Sequence, residues 1–394
     1  MSRRAILIVL DGVGAGAARD ADDYGDAGSN TLANVAEAVG GADLPTLESL
    51  GLGRALRIRG IRDDVPAIGA WGIMHPASPG KDSTTGHWEL AGLHLERPFP
   101  TYPNGFPARV IEEFIRVTGR PVLGNVAGSG TVLIDRFAAE HFATGAWIVY
   151  TSADSVFQVA AHESIVPLTE LYQACAAARV ILAPPHNVSR VIARPFAGEP
   201  GSYRRTQHRR DFSLEPLGET LLDALQAAGI ERQGVGKVDD LFAGRGISSQ
   251  HTADNRDGIA RIQSWIGGTG NPQVSHSGFL FANLVDFDQL YGHRNDVAGF
   301  YGALRHFDAA LPGLLAGLRD GDLLAITADH GNDPTTSSTD HARECVPLLV
   351  TGRGIRPVSL GERATFSDLG ATVADWFGIA FRGSGTSFLQ EITA

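Results

Sequence analysis

Short apolar runs alternate along the chain with longer stretches whose apolar residues recur at helical spacing, the pattern of a mostly parallel sheet covered by helices. The runs predict strands at 5–10, 147–151, 188–193, 279–285, 323–327 and 346–350. Helical spacing predicts helices at 107–118, 168–178, 216–228, 296–318 and 368–377. Several of the strands run into polar residues: Asp11 after the first, Asp286 and Asp288 after 279–285, Asp329 and His330 after 323–327. Open α/β sheets bind ligands beyond the carboxyl ends of their strands, so these residues are expected to be neighbours.

At 394 residues the chain exceeds one ordinary compact unit, which calls for a large α/β core with an insertion or for two domains. The middle differs from the two ends. It opens at Glu96-Arg97-Pro98-Phe99-Pro100, carries a second such stretch at Pro195-Phe196-Ala197-Gly198-Glu199-Pro200-Gly201, and contains none of the strand-end polar groups above. The expected organisation is a catalytic core of residues 1–97 and 216–394 around an inserted α/β cap domain, 98–215. With 43% hydrophobic and 20% charged residues, the composition is that of a globular protein. No stretch approaches the roughly 20 apolar residues of a membrane span. The 5–10 run is too short for a secretion signal and Asp11 interrupts it, so a cytoplasmic location is expected. Cys175 and Cys345 stand in no metal or redox spacing and read as packing residues. A net charge of −11 argues against a nucleic-acid surface, which makes the basic cluster Arg204-Arg205-Thr206-Gln207-His208-Arg209-Arg210 look like a confined anion site.

The candidate chemistry lies in three places. Asp329-His330-Gly331-Asn332-Asp333 follows a strand, and His341 stands eleven residues beyond His330. Adjacent residues on a strand face opposite ways, so Asp329 and His330 could serve one ion only if the backbone turns, which Gly331 permits. Asp286-Phe287-Asp288 and His293 form a second group, and Asp11 supplies a further carboxylate. Carboxylates and imidazoles without thiolates suit Mn²⁺, Zn²⁺ or Fe²⁺, and six ligands are too many for one ion that must keep open positions. Two ions are the better count. The third place is Gly80-Lys81-Asp82-Ser83-Thr84-Thr85-Gly86-His87-Trp88-Glu89, a hydroxyl-rich segment opening a helix, where free N–H groups favour a phosphate. The alternative role is capping alone, with Ser83 or Thr84 bonding the helix N-terminus. As a nucleophile a hydroxyl needs activation, which two divalent ions would provide.

The segments Asp11-Gly12-Val13-Gly14, Gly80 to Glu89, Asn283 to Asp288 with His293, Thr327 to Pro334, Thr339-Asp340-His341 and Gly385-Thr386-Ser387-Phe388 resemble the phosphopentomutases, metalloenzymes of the alkaline phosphatase superfamily. The resemblance runs nearly end to end and includes Tyr150 to Ser155 and Arg190 to Phe196. It implies an alkaline phosphatase-like core, with one metal held by Asp11, Asp329, His330 and the nucleophile, and the other by Asp288, His293 and His341. The family usually carries threonine after the Lys-Asp pair, where this chain has Ser83. Serine offers the same hydroxyl at the same distance from Gly86-His87-Trp88, so Ser83 is the expected phosphate carrier and metal ligand, with Thr84 and Thr85 as competitors. Asp288 is preferred to Asp286 by its five-residue spacing to His293. By the same resemblance Arg190 and Arg205 contact the sugar phosphate, and Ser152, Asp154, Val156, Ile192 and Lys237 line the substrate pocket. For Arg209 and Arg210 a surface ion pair is expected.

The resemblance further implies two Mn²⁺ ions, priming by a sugar bisphosphate such as glucose 1,6-bisphosphate, pentose phosphates as the small-molecule substrates, and no obligate protein partner. The residues alone would equally suit a metal-dependent phosphatase or phosphodiesterase, or a binding protein that never acquires a covalent phosphate.

Overall fold

Every residue of the strands Arg4–Leu10, Gly278–Leu284 and Asp322–Thr327 is buried. Strands covered on both faces are written as unbroken apolar runs, which is why they stand out in the sequence. In the computed structural model, which describes residues 3–152, 155–268 and 278–393, the chain divides into Met1–Arg97 with Pro216–Ala394, and Pro98–Glu215.

The first unit is built on an eight-stranded sheet. From edge to edge the strands are Ser249–Gln250, Glu231–Val235, Gly278–Leu284, Arg4–Leu10, Asp322–Thr327, Val346–Thr351, Ala70–Met74 and Ser359–Arg363. Only Val346–Thr351 runs against the others, being antiparallel to both of its neighbours. The helix Asn255–Gly267 packs on Gly278–Leu284 and on the helix Val297–Ala316, while Ser367–Phe377 packs on Ser83–Leu90. The amino ends of the central strands carry a buried ion pair. Arg4 Nε donates to Asp322 Oδ1 at 2.8 Å, and Arg4 also donates to the Ile266 carbonyl at 3.0 Å. Both charges there are satisfied within the protein, as buried charges must be.

The second unit has a six-stranded sheet ordered Val122–Ala127, Trp147–Thr151, Val156–His162, Arg190–Ala197 and Arg204–Arg205, with Arg210–Ser213 pairing onto Arg190–Ala197. One face packs Trp147, Val149, Phe157, Val159, Val191 and Ala193 with residues of the helices Ala108–Thr118 and Leu168–Ile181. The other packs Ile148, Tyr150, Ala160 and Phe196 with the helix Gly130–Thr144.

The mixed α/β class expected from the pattern is the one observed. Most element ends lie within three residues of expectation, and two elements depart further. The strand expected at 188–193 spans Arg190–Ala197. The helix expected at 216–228 forms only over Leu221–Ala227, because Pro216 and Gly218 precede a capping box in which the Asp223 side chain accepts from Thr220 N at 2.8 Å. Among the described residues no helix is long and apolar enough to cross a membrane. Cys175 and Cys345 are both buried and free, and burial pushes the Cys345 thiol up to about 12, which keeps it protonated.

Candidate metal centre

Because seven of the eight core strands are parallel, their carboxyl ends lie along one edge, and the reversed strand Val346–Thr351 begins at that edge. Asp11 follows Leu10, and Asp329 and His330 follow Thr327. Asp288 sits in the short turn Phe287–Tyr291 beyond Leu284, and His293 in the next turn, Gly292–Arg294. His341 does not end a strand. It stands ahead of the start of Val346–Thr351 and reaches the same edge because that strand is reversed.

Asp11, Asp329 and His330 present ligand atoms within 4.8 Å of one another, and all three are buried. The first turn depends on Gly12, whose φ of 75° is open to glycine at little cost; its N–H donates to Asp329 Oδ1 at 3.2 Å. His330 Nδ1 lies 3.0 Å from the Gly331 carbonyl and so carries the proton there. Its Nε2 faces Ser83 Oγ at 3.1 Å, Asp11 Oδ1 at 3.3 Å and Asp329 Oδ2 at 3.5 Å.

Asp288, His330 and His341 form a second such group. His341 Nε2 lies 3.4 Å from Asp288 Oδ1, and His293 Nε2 lies 3.1 Å from Asp288 Oδ2. His293 Nδ1 is tied to the Thr339 carbonyl at 2.7 Å, which leaves Nε2 to the carboxylate. The His341 ring packs between His330 and His293, with centroids at 4.1 and 4.8 Å. Asp286 faces elsewhere: it accepts from Asn255 N at 2.7 Å and so secures the start of the helix Asn255–Gly267.

Asp82 caps the helix Ser83–Leu90, accepting from Thr85 N at 3.1 Å and from Thr85 Oγ1 at 2.6 Å. Thr84 and Thr85 are both 3% exposed. The Thr85 hydroxyl is thus engaged as a donor to its own cap, whereas the Ser83 hydroxyl, at the first helical position, turns toward His330. The helix can come this close to the strand end only because of Gly86, where a Cβ would lie 2.1 Å from the Asp329 carbonyl oxygen.

The residues fit a cation on two grounds. Asp11 Oδ1 and Asp329 Oδ2 are buried and make no well-aligned hydrogen bond, although His330 Nε2 stands 3.3 Å from the first and His87 Nδ1 3.1 Å from the second, an arrangement that favours a positive charge beside them. The imidazoles of His330 and His293 each give Nδ1 to a backbone carbonyl and turn Nε2 to carboxylate oxygens, the orientation of a metal-binding histidine. Charge crowding tells the same story. Burial, and next the Asp329 carboxylate, push Asp11 above the usual carboxylate range. Burial would lower His330, but Asp329 and Asp11 raise it well above its ordinary value. An entering cation would therefore displace a proton from this group.

Two neighbours had no assigned role in the sequence. His87 is fully buried, with Nδ1 2.9 Å from the Ser83 carbonyl and 3.1 Å from Asp329 Oδ2. Asn332 donates Nδ2 to Asp288 Oδ1 at 2.7 Å, and its N–H donates to the Gly12 carbonyl at 2.8 Å. Both lie inside the segments that carry the resemblance, but nothing in their spacing marks them.

The residues expected to contact substrate are not in this cluster. In the Pro98–Glu215 unit, Val156 pairs with Arg190 in register, so Val156, Arg190 and Ile192 share one face of the sheet, with Val156 and Ile192 buried. Arg190 Nη1 stands 3.6 Å from Asp211, while its Nε is buried without a hydrogen-bond partner. Arg205 reaches the Tyr150 hydroxyl at 3.5 Å. Arg194 donates to Gln158 at 3.0 Å, and burial lowers its pKa to about 10. Ser152 follows the end of Trp147–Thr151, and Asp154 lies outside the described residues. Arg209 makes the expected ion pair, with Asp211 at 2.7 Å, whereas Arg210 stacks over Tyr172 and Phe212 in place of one. Lys237, in the other unit, donates to Gln289 Oε1.

The family profile described as the metalloenzyme superfamily matches residues 3–380. Among curated relatives, the phosphopentomutase of Carboxydothermus hydrogenoformans is 54% identical over 392 residues, covering 99% of both chains. That of Dictyoglomus turgidum is 55% identical over 393 residues, covering 99% of this chain and 98% of its own. Among solved structures, the phosphoglycerate mutase of Leishmania mexicana shares the fold with a TM-score of 0.50 at 12% identity, over 98% of this chain and 97% of its own. With a profile match across the superfamily region and identity above one half over nearly the full length, this chain belongs to the phosphopentomutase family of the metalloenzyme superfamily.

Proposed function

We propose that the chain interconverts (deoxy)ribose 1-phosphate and (deoxy)ribose 5-phosphate in the cytoplasm, through a phosphoserine at Ser83 and a 1,5-bisphosphate. The observation that carries this reading is the Ser83 hydroxyl, 3.1 Å from His330 Nε2 beside two buried carboxylate oxygens that make no well-aligned hydrogen bond. The sequence identity to named phosphopentomutases supports it.

Two divalent ions, proposed as Mn²⁺, would be held by Asp11, Asp329, His330 and Ser83 and by Asp288, His293 and His341; such ions lower the pKa of a hydroxyl and neutralise charge on phosphoryl oxygens. Phosphorylated Ser83 gives its phosphoryl group to the C1 hydroxyl of ribose 5-phosphate. The Ser83 oxygen–phosphorus bond breaks, the C1 oxygen–phosphorus bond forms, and the C1 proton ends on Ser83. After the sugar turns over, Ser83 takes the 5-phosphoryl group, its proton ends on the C5 oxygen, and ribose 1-phosphate leaves. A sugar bisphosphate such as glucose 1,6-bisphosphate would supply the first phosphoryl group. Arg190 and Arg205 are the proposed phosphate contacts, since guanidinium forks match phosphate oxygens. Ser152, Asp154, Val156, Ile192 and Lys237 are proposed to line the substrate pocket.

The test is intact-mass analysis after incubation with glucose 1,6-bisphosphate, followed by product analysis with ribose 5-phosphate. One phosphoryl adduct on Ser83 and conversion to ribose 1-phosphate are expected. An adduct on Thr84 or Thr85 moves the nucleophile, release of inorganic phosphate in place of ribose 1-phosphate makes the chain a phosphatase, and no adduct makes it a binding protein.

A further inference from the structure

The loop of residues 76–82, which delivers Ser83, is gripped by two buried charged side chains outside the proposed ligand set. Arg343 is 3% exposed, and its guanidinium donates to the carbonyls of Pro76, Ser78 and Gly80 at 3.2, 2.7 and 2.5 Å. Glu89 is 1% exposed and accepts from the amides of Ala77 at 2.9 Å and Ser78 at 2.6 Å. One cation holds the carbonyls of the loop and one anion holds its amides. To shift the loop, a buried charge would have to lose partners, which is costly.

Arg343 is itself fixed. Asp20 accepts from its Nε and Nη2 in a two-pronged pair, both at 3.0 Å. On the other side, Ala342 exchanges backbone hydrogen bonds with Gly331 at 2.7 and 3.1 Å. The same short stretch of chain thus carries His341, is tied beside His330, and grips the loop that ends in Ser83.

We propose that Arg343, oriented by Asp20, and Glu89 are positioning residues that hold the Ser83 hydroxyl in register with His330 and His341. The claim rests on Ser83 being the phosphate carrier. Arg is suited to the role because one planar fork reaches three carbonyls at once, which an ammonium on a flexible stem cannot reproduce. A misplacement of about 1 Å can cost roughly 100-fold in rate without changing the groups that react.

The test compares Arg343→Lys and Asp20→Asn with the parent enzyme loaded with Mn²⁺. Bound Mn²⁺ per chain, kcat, KM for ribose 5-phosphate, and the rate and site of phosphorylation by glucose 1,6-bisphosphate are measured. Both variants are expected to keep the parent's Mn²⁺ content and a KM within about twofold. Under the misplacement argument kcat and the phosphorylation rate should fall roughly 100-fold in Arg343→Lys and roughly tenfold in Asp20→Asn. Asp20 has a 40% exposed side chain, so its variant tests the grip even if Arg343→Lys does not fold. Adducts on Ser83 with kcat within twofold of the parent in the folded variants would overturn the positioning role alone. So would losses that follow bound Mn²⁺ and disappear when more is added. A parent adduct on any other hydroxyl would overturn the functional reading and the positioning role with it.

Discussion

The two residue groups of the candidate metal centre are alike in chemistry and differ in setting. Asp11, Asp329 and His330 leave adjacent central strands directly, and each is no more than 3% exposed. Asp288 and His293 come from two short turns beyond a strand, His341 comes from the segment before a reversed one, and the His293 side chain is 36% exposed. The first half is preorganised by the sheet and shielded from water; the second is assembled from loops and open on one side. Low dielectric strengthens charge interactions, so the buried half should hold its ion more tightly and tolerate less change. The open half should bind and exchange its ion more readily.

That contrast can be broken by substitution. Asp329→Asn should cost on the order of 10⁴-fold in kcat, as for the loss of a group acting as part of a catalytic unit, and added Mn²⁺ should not restore it. His293→Ala should lose roughly 10- to 100-fold, a range typical of weakened metal affinity, and should recover as Mn²⁺ is raised. Equal rescue of the two would remove the distinction. Chelator titration followed by metal analysis offers a direct check: two phases are expected, and His293→Ala should accelerate only the faster one.

The supports beneath each half give smaller effects. Under the buried half, Glu344 accepts from Thr31 N at 2.9 Å and Thr31 Oγ1 at 2.8 Å, yet burial outweighs these bonds and pushes its carboxyl from 4.5 up to about 7. A folded-state pKa raised in an acid means that the folded chain holds a proton the unfolded chain has released. The associated stability is present below about 4.5, is lost as pH rises to about 7, and stays lost above it; its size is at most about 3 kcal/mol. Urea denaturation of the parent and Glu344→Gln at pH 5 and pH 8 should show this slope in the parent and a reduced one in the variant. Beside the open half, Asp286→Ala removes the bond to Asn255 N at the helix start and should cost about 1 kcal/mol, with kcat within twofold. A large loss of activity there would mean that Asp286, not Asp288, serves the ion.

Much of the site could be read from the chain because parallel strands buried on both faces must be apolar throughout, so the first polar residue beyond each marks the sheet edge. Asp11, Asp329 and His330 were legible for that reason. His341 was legible as a nearby imidazole eleven residues beyond His330, but not its route to the edge, since that depends on one strand running backwards. His87 and Asn332 carried no spacing signal, because their partners, Asp329 and Asp288, are 242 and 44 positions away in the chain.

The hydroxyl segment shows the division most clearly. Local sequence determines that a helix opens here behind three hydroxyls in a row, and short-range hydrogen bonding makes Asp82 its cap, not Ser83 or Thr84 as expected. Which hydroxyl meets His330 was decided by tertiary packing. Gly86 lets the helix lie against Asp329, Arg343 and Glu89 hold the loop before it, and at that orientation Thr85 turns back to its cap while Ser83 turns to the imidazole. Residue type supplies chemistry and local conformation, but aiming one side chain within an ångström of another 247 residues away requires the packed fold.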